Sequence, residues 1–335
     1  MIEVEKNSII YVLCPAYTKT GGTELLHQLV HSLNKNSINA KITYYNLKDD
    51  NNSYTSDDFK KYIDSYELAN NINDDEKNLI VIPEISVEWV NKYKRIRKAV
   101  WWLSVDNYLI NHKFSKIKEA SGLKNAIKKT FKNIISHNKK DIYKANYHLC
   151  QSYYAIDFLN KKGIYNVFYL SDYINDSYLN SKFKIEDKKD IVLYNPKKGY
   201  EFTKKIIEKA QNLKWVPIEN MTTEQVKNLL LESKVYIDFG NHPGKDRFPR
   251  ESAICGCCVI TGKRGAAAFE KDVPLLDEYK FSDDEKYIPD IIKKINSCIK
   301  NYKTEIKKFN NYRMFISSEK EKFEKDIKSI FVVVD

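Results

Sequence analysis

Apolar residues in this chain gather into short runs, separated by polar stretches whose apolar positions follow helical spacing, and the alternation repeats. The first run, Ile9-Ile10-Tyr11-Val12-Leu13-Cys14, is followed by a glycine-containing turn and then by Leu25–Leu33, which is periodic at three and four residues. That order predicts a strand, a loop and a helix. Further strands are predicted at Ala40–Tyr45, Leu79–Pro83, Ala99–Val105, Tyr147–Gln151 and Val167–Leu170, with Ser56–Tyr66 and Tyr153–Lys162 as helical or polar spacers. Such alternation argues for a parallel sheet covered by helices.

From residue 173 to 189 the chain turns polar and charged, as a connection between halves would. The pattern then restarts. Asp190–Asn195, Lys214–Pro217, Lys234–Phe239 and Cys257–Thr261 read as strands, and Phe202–Gln211, Thr223–Glu232 and Arg250–Cys255 as the helices connecting them. From Tyr287 to Lys328 the sequence is lysine-rich and broadly helical, and Ile330–Val334 reads as a late strand or a packing tail. The fold class expected is α/β, with two doubly wound, Rossmann-like parallel sheets in domains 1–172 and 190–304. A helical segment 305–335 is expected to cross back to the first domain.

Composition narrows the setting. No stretch of the 335 residues has the roughly 18–20 uninterrupted apolar positions that span a bilayer, and MIEVEKNSII is too acidic for a signal peptide. A cytoplasmic protein is expected. The six cysteines stand in apolar contexts such as YVLC and YHLC and read as buried thiols in a reducing compartment. A formal net charge of +11 points to an anionic partner without naming it. Between Lys113 and Lys144, ten lysines face only Glu119 and Asp141, while Leu123, Ile127, Phe131, Ile134 and Ile135 fall near one helical face. An amphipathic cationic helix is expected there, resting on an anionic membrane face or guiding a lipid-linked acceptor.

In open parallel sheets, ligands bind beyond the carboxyl ends of strands, where helix N-termini present backbone N–H groups to anions. The loops that follow strands are therefore the places to search. Thr18–Glu24 carries Gly21, Gly22, Thr23 and Glu24 directly after the opening strand, but neither the G-x-G-x-x-G nor the P-loop pattern. Asn195-Pro196-Lys197-Lys198-Gly199 follows the first strand of the second half, where a lysine beside a helix start can neutralise a diphosphate. The segment Asp238–Glu251 crowds His242, Lys245, Asp246, Arg247, Arg250 and Glu251 near a predicted helix start, an arrangement suited to an anion. Gly265 and Ala266 then offer a small-residue turn on which a ligand can lie against backbone.

Taken in order, Lys198-Gly199, a long helix, Glu251, Cys255-Gly256 and Val259-Ile260-Thr261 resemble the donor half of GT-B glycosyltransferases. Gly21-Gly22-Thr23-Glu24 is similar to the glycine loop of their acceptor half, so the resemblance covers most of the chain. It implies two domains facing a cleft, and transfer of a sugar from a nucleotide diphosphate donor to a bacterial surface glycan of capsule, lipopolysaccharide or lipooligosaccharide type. It implies Lys198 and Gly199 at the donor diphosphate and Glu251 at the donor ribose, with Lys245, Asp246, Arg247, Arg250, Gly265 and Ala266 around them. The chain departs from the retaining E-x7-E group, because Pro243 stands where the first glutamate belongs and Leu193 where an arginine is usual. Asp106 is the first candidate base for the acceptor hydroxyl and His242 the second. Neither metal nor cofactor is expected, and no nucleic acid partner.

Other readings make different demands on the sequence. A metal-dependent GT-A enzyme needs an aspartate pair after a mid-chain strand, and Ser104-Val105-Asp106 supplies one carboxylate. Cys255-Gly256-Cys257-Cys258 lacks a second Cys or His pair at zinc spacing, and His27 with His31 lacks a third ligand. A basic α/β protein that binds nucleic acid would use the charge and the 24 tyrosines, and a non-catalytic sugar-nucleotide binder would explain the missing glutamate.

Overall fold

The computed structural model describes residues 1–48, 53–112, 125 and 138–334. The chain divides into two compact units, one formed by Met1–Asp172 with Glu321–Asp335, the other by Tyr173–Lys320. Residues 305–320, expected with the crossing segment, thus belong to the second unit.

The first unit holds a seven-stranded sheet. Its strands are β2 (Ile10–Pro15), β3 (Ala40–Tyr45), β4 (Tyr66–Leu68), β5 (Leu79–Pro83), β6 (Arg97–Trp102), β7 (Tyr147–Cys150) and β8 (Val167–Tyr169). They run in the order β4-β3-β2-β5-β6-β7-β8 and every pairing is parallel. The central strands are buried on both faces, which is why Leu79-Ile80-Val81-Ile82 shows no alternation. The order reverses direction between β2 and β5, so this is the switch point where a ligand finds room.

A separate two-stranded ribbon pairs β1 (Ile2–Glu5) in parallel with β13 (Phe331–Val334), Ile2 opposite Phe331. The apolar end segment is therefore a strand. Its partner at the N-terminus escaped the sequence reading because IEVE alternates over only four residues.

The second unit holds a four-stranded parallel sheet in the order β10-β9-β11-β12, formed by β9 (Lys189–Tyr194), β10 (Lys214–Pro217), β11 (Ser233–Asp238) and β12 (Cys258–Thr261). Its switch point falls between β9 and β11. Behind the sheet, the helix Ile288–Lys300 buries Ile291, Ile295 and Ile299 as its spacing predicts. All six cysteines are buried free thiols, and Cys257 donates its S–H to the carbonyls of Leu230 and Ser233.

Several elements differ from expectation. Ser56–Tyr66 contains a helix only at Asp57–Lys60, and Tyr66 opens an edge strand. The strand expected to reach Val105 stops at Trp102, because Glu84 Oε2 accepts the Leu103 N–H at 3.0 Å and Val105 already starts a helix. The C-terminal helical stretch is broken at Asn301 and again before the helix Asn310–Ile330, which contributes through Lys320 to the second unit and beyond it to the first. Most of the cationic helix expected over 113–144 lies outside the described residues; its end, Asn138–Lys144, is a 3-10 turn. Among the described residues, no helix is long and apolar enough to cross a membrane.

Candidate functional site

In the second unit, the loops that leave β9 and β11 are pressed together at the switch point. Gly199 makes this possible: its φ of 62° lies in the left-handed region, and a Cβ there would collide with the Phe239 carbonyl. Gly265, at φ 55°, similarly leaves space for the His242 carbonyl, which accepts the Ala266 N–H at 2.8 Å. Loops after β9, β11 and β12 thereby meet in one place, and the sequence had marked all three.

Two helices begin at this place, Tyr200–Lys209 after β9 and Arg247–Ile254 after β11. Neither has a side-chain cap. Gly199 occupies the cap position of the first and has no side chain to offer, and Asp246 occupies that of the second without bonding to the helix backbone. Aspartate at that position ordinarily accepts from the first turn, which stabilises a helix by about 1 kcal/mol. Asp246 instead directs its oxygens at Lys198, 3.0 and 2.9 Å from Nζ. By contrast, the helix after the edge strand β10, Thr223–Glu232, carries a complete capping box from Thr222 and Gln225. Side-chain capping is therefore missing at the two helix starts that flank the switch point and present at the one beside it. An uncapped helix start with a lysine alongside is an anion-binding arrangement.

Behind Lys198 the charges alternate. His242 is fully buried, with Nδ1 3.5 Å from Asp246 Oδ2 and Nε2 3.7 Å from Asp238 Oδ1, and neither nitrogen has a hydrogen-bond partner. Asp238 accepts from the Tyr236 hydroxyl at 2.9 Å and the Gly240 N–H at 3.0 Å. Burial pushes the Asp246 carboxyl above the usual carboxylate range, and Lys198 and His242 pull it part of the way back. Among the described residues Asp238, His242 and Asp246 alone bring three metal-ligating side chains within 4.8 Å of one another. The two ring nitrogens face different carboxylates, and Lys198 Nζ lies against both oxygens of Asp246.

Other expected donor contacts are placed differently. Lys245 and Arg250 are buried, with Lys245 Nζ 2.5 Å and Arg250 Nη1 2.8 Å from the Glu319 carboxylate. Arg250 also donates to the Lys245 carbonyl at 2.8 Å and the Asp246 carbonyl at 3.3 Å. Both were expected around the donor; in this structure Arg250 holds the backbone at Lys245 and Asp246, and Glu319 balances the charge of both. Glu251 is buried one turn inside its helix, which begins at Arg247, so it does not serve the helix dipole as a first-turn acid. The charges of Glu251 and Arg247 both reach the Tyr178 hydroxyl.

In the first unit, the helix Gly21–Lys35 starts with both glycines already inside it and Thr20 as its cap, in a capping box with Thr23. Glu24 accepts from the Tyr62 hydroxyl at 3.0 Å. These residues do not line the cavity of about 510 Å³ that opens nearby at the carboxyl ends of β2, β3 and β5. Its walls include Thr18, from the loop marked in the sequence, and Tyr45, Asn46, Glu88, Trp89 and Asn107, which the sequence reading gave no site role. The available signal was position, since Asn46 directly follows β3 and holds a left-handed φ of 58°. Asp106 lies in the first turn of the helix Val105–His112, where it accepts from the Tyr154 hydroxyl at 3.1 Å, and not at a strand end. Glu84, also missed, is buried at the end of β5, and desolvation raises its carboxyl to about 8.

Two parallel sheets with these strand orders belong to the GT-B architecture. Among solved structures of that fold, Anabaena Alr3699/HepE in complex with UDP-glucose is similar to this chain at 10% identity, covering 96% of this chain and 99% of that one with a TM-score of 0.62. An alpha-glucosyltransferase in complex with UDP and a 13-mer DNA containing a HMU base covers 98% of this chain and 100% of its own, at 12% identity and a TM-score of 0.58. No family model and no curated protein sequence matches the chain. The second structure holds DNA, which runs contrary to the expectation that no nucleic acid partner is involved.

Proposed function

We propose that this chain is a glycosyltransferase whose second unit binds a nucleotide diphosphate sugar at the ends of β9 and β11. The observation that carries the reading is the pair of helix starts without side-chain caps at the switch point, with Lys198 beside them. Backbone N–H groups of both helices and the Lys198 ammonium would face the diphosphate and stabilise charge developing on it as the glycosidic bond breaks. The GT-B fold and the UDP and UDP-glucose held by similar structures support the same reading.

The acceptor belongs in the cavity of the first unit. Aromatic rings at Tyr45 and Trp89 with carboxamides at Asn46 and Asn107 suit the apolar faces and hydroxyl edges of a sugar, so a carbohydrate acceptor, in the cytoplasm and of the surface-glycan class, is the form we favour.

The test is a calorimetric and thermal-shift screen of nucleoside diphosphate sugars against the full chain and Lys198→Ala. One donor should raise the melting temperature, and losing Lys198 should weaken it about 10–100-fold, as loss of a charge-assisted contact does. Stabilisation by no sugar nucleotide, or equal binding by the variant, would remove the proposal.

A further inference from the structure

The two oxygens of Asp246 hold the Lys198 ammonium in the place where an incoming anion would need it. Lys198 is 38% exposed along its side chain against 15% for Asp246, so solvent reaches the ammonium while the carboxylate sits behind it. Asp246 also leaves its helix start uncapped to make this contact.

We propose that Asp246 is a positioning residue that occupies Lys198 until a diphosphate displaces it, and that His242 takes up a proton when the displacement occurs. The inference rests on the donor reading above and adds to it an exchange of partners.

Charge balance carries the argument. With Lys198 on Asp246, the buried group comprises two carboxylates, one ammonium and one imidazole. Once Lys198 turns to a phosphate, Asp246 loses its cation while Asp238 stands on the other side of His242, and an uncompensated buried charge is strongly unfavourable. The neighbouring charged groups are otherwise committed. Lys245 and Arg250 face Glu319, the charge of Arg247 is felt at Tyr178, and the Tyr236 hydroxyl already donates to Asp238 while burial keeps it protonated.

His242 is the remaining group in this place, and its ring lies between the two carboxylates. Each ring nitrogen already faces a carboxylate oxygen without a hydrogen bond, so one proton drawn from the buffer completes both contacts. The ring is held there, because its own carbonyl is pinned by the Ala266 N–H and Gly265 presses against it.

The experiment is titration of the full chain with UDP at about pH 8, well above the phosphate pKa of about 6, so the ligand contributes no proton of its own. Calorimetry is run in three buffers of different ionisation enthalpy. The observed enthalpy should vary with the buffer in the sense of proton uptake, by a sizeable fraction of a proton and at most about one per UDP. His242→Asn should abolish the variation. Asp246→Asn should bind UDP about 10-fold more tightly than the parent, because its lysine starts free. Identical enthalpies in all buffers, or an Asp246→Asn variant that binds no tighter, would overturn the inference. If His242→Asn does not fold, the parent buffer series and Asp246→Asn decide alone. UDP binding that is weakened by Lys198→Ala but shows neither effect overturns this inference and leaves the donor reading intact. Absence of UDP binding, or binding indifferent to Lys198, overturns both.

Discussion

Glu319 meets Arg250 at 2.8 Å across 69 positions of sequence, and both side chains are almost wholly inaccessible. The same carboxylate takes Lys245 at 2.5 Å, so one acid from the helix Asn310–Ile330 balances a cation of the loop after β11 and a cation of the helix that follows it. A buried ion group of this kind is costly to break and cheap to replace as a whole. Glu319→Ala should lower unfolding stability by about 3–5 kcal/mol, since it strands two buried cations. Replacing Glu319 by Leu together with Lys245→Met and Arg250→Met should cost much less. Urea denaturation of the two variants checks the order, and a single variant as stable as the triple would contradict it.

Gly199 should be intolerant of any side chain. Gly199→Ala adds a Cβ that meets the Phe239 carbonyl in a left-handed conformation, costing at least about 1 kcal/mol. The loops after β9 and β11 must then separate, so UDP affinity should fall along with the melting temperature. Isothermal titration at a temperature where the variant is fully folded separates the two effects.

Glu84 gives the fold an alkaline weakness. Its folded-state pKa of about 8 stands above the ordinary 4.5, so the folded chain keeps a proton that the unfolded chain has released. Its contribution is therefore fully present below about 4.5 and is lost as pH rises toward 8, by an amount on the order of a few kcal/mol. Glu84→Gln keeps an acceptor for the Leu103 N–H and removes the titration. The variant should equal the parent near pH 5 and exceed it near pH 9 in urea midpoint, and parallel curves would refute the assignment.

Trp89 separates acceptor from donor. Trp89→Ala should raise the acceptor KM about 10-fold or more, as loss of a ring platform does, and leave UDP affinity unchanged. Steady-state kinetics with one substrate varied at a time gives both numbers. A change in UDP affinity would argue against the cavity as an acceptor site.

The sequence was most legible where physics is local. Apolar runs marked β2, β5, β9 and β11, because a strand buried on both faces has no other pattern, and Gly199 and Lys198 stood at a strand end where a ligand loop belongs. Long-range balance was hidden. Lys245 and Arg250 looked like free cations because their counterion lies about seventy residues downstream, in a helix whose own pattern says only that it is amphipathic. Asp238 opened the segment singled out from sequence but was given no role there, although its place as the last residue of β11, two positions before Gly240, was the available clue. The cavity walls come from four separate segments of the chain, and nothing in the spacing of Tyr45, Trp89 and Asn107 joins them. Asp106 was placed one element too early, since Glu84 ends β6 by a contact that periodicity cannot show.

The parallel ribbon of β1 with β13 has a consequence for biosynthesis. Phe331–Val334 leaves the ribosome only after the whole second unit has been made, yet it completes the unit that was begun first. Until it docks, Ile2 and Val4 lack their neighbours, and the open edge of β1 is a template for any passing strand. Nascent chains stalled within the second unit should accordingly be the aggregation-prone species, and a chaperone that shields the first few residues would be the remedy.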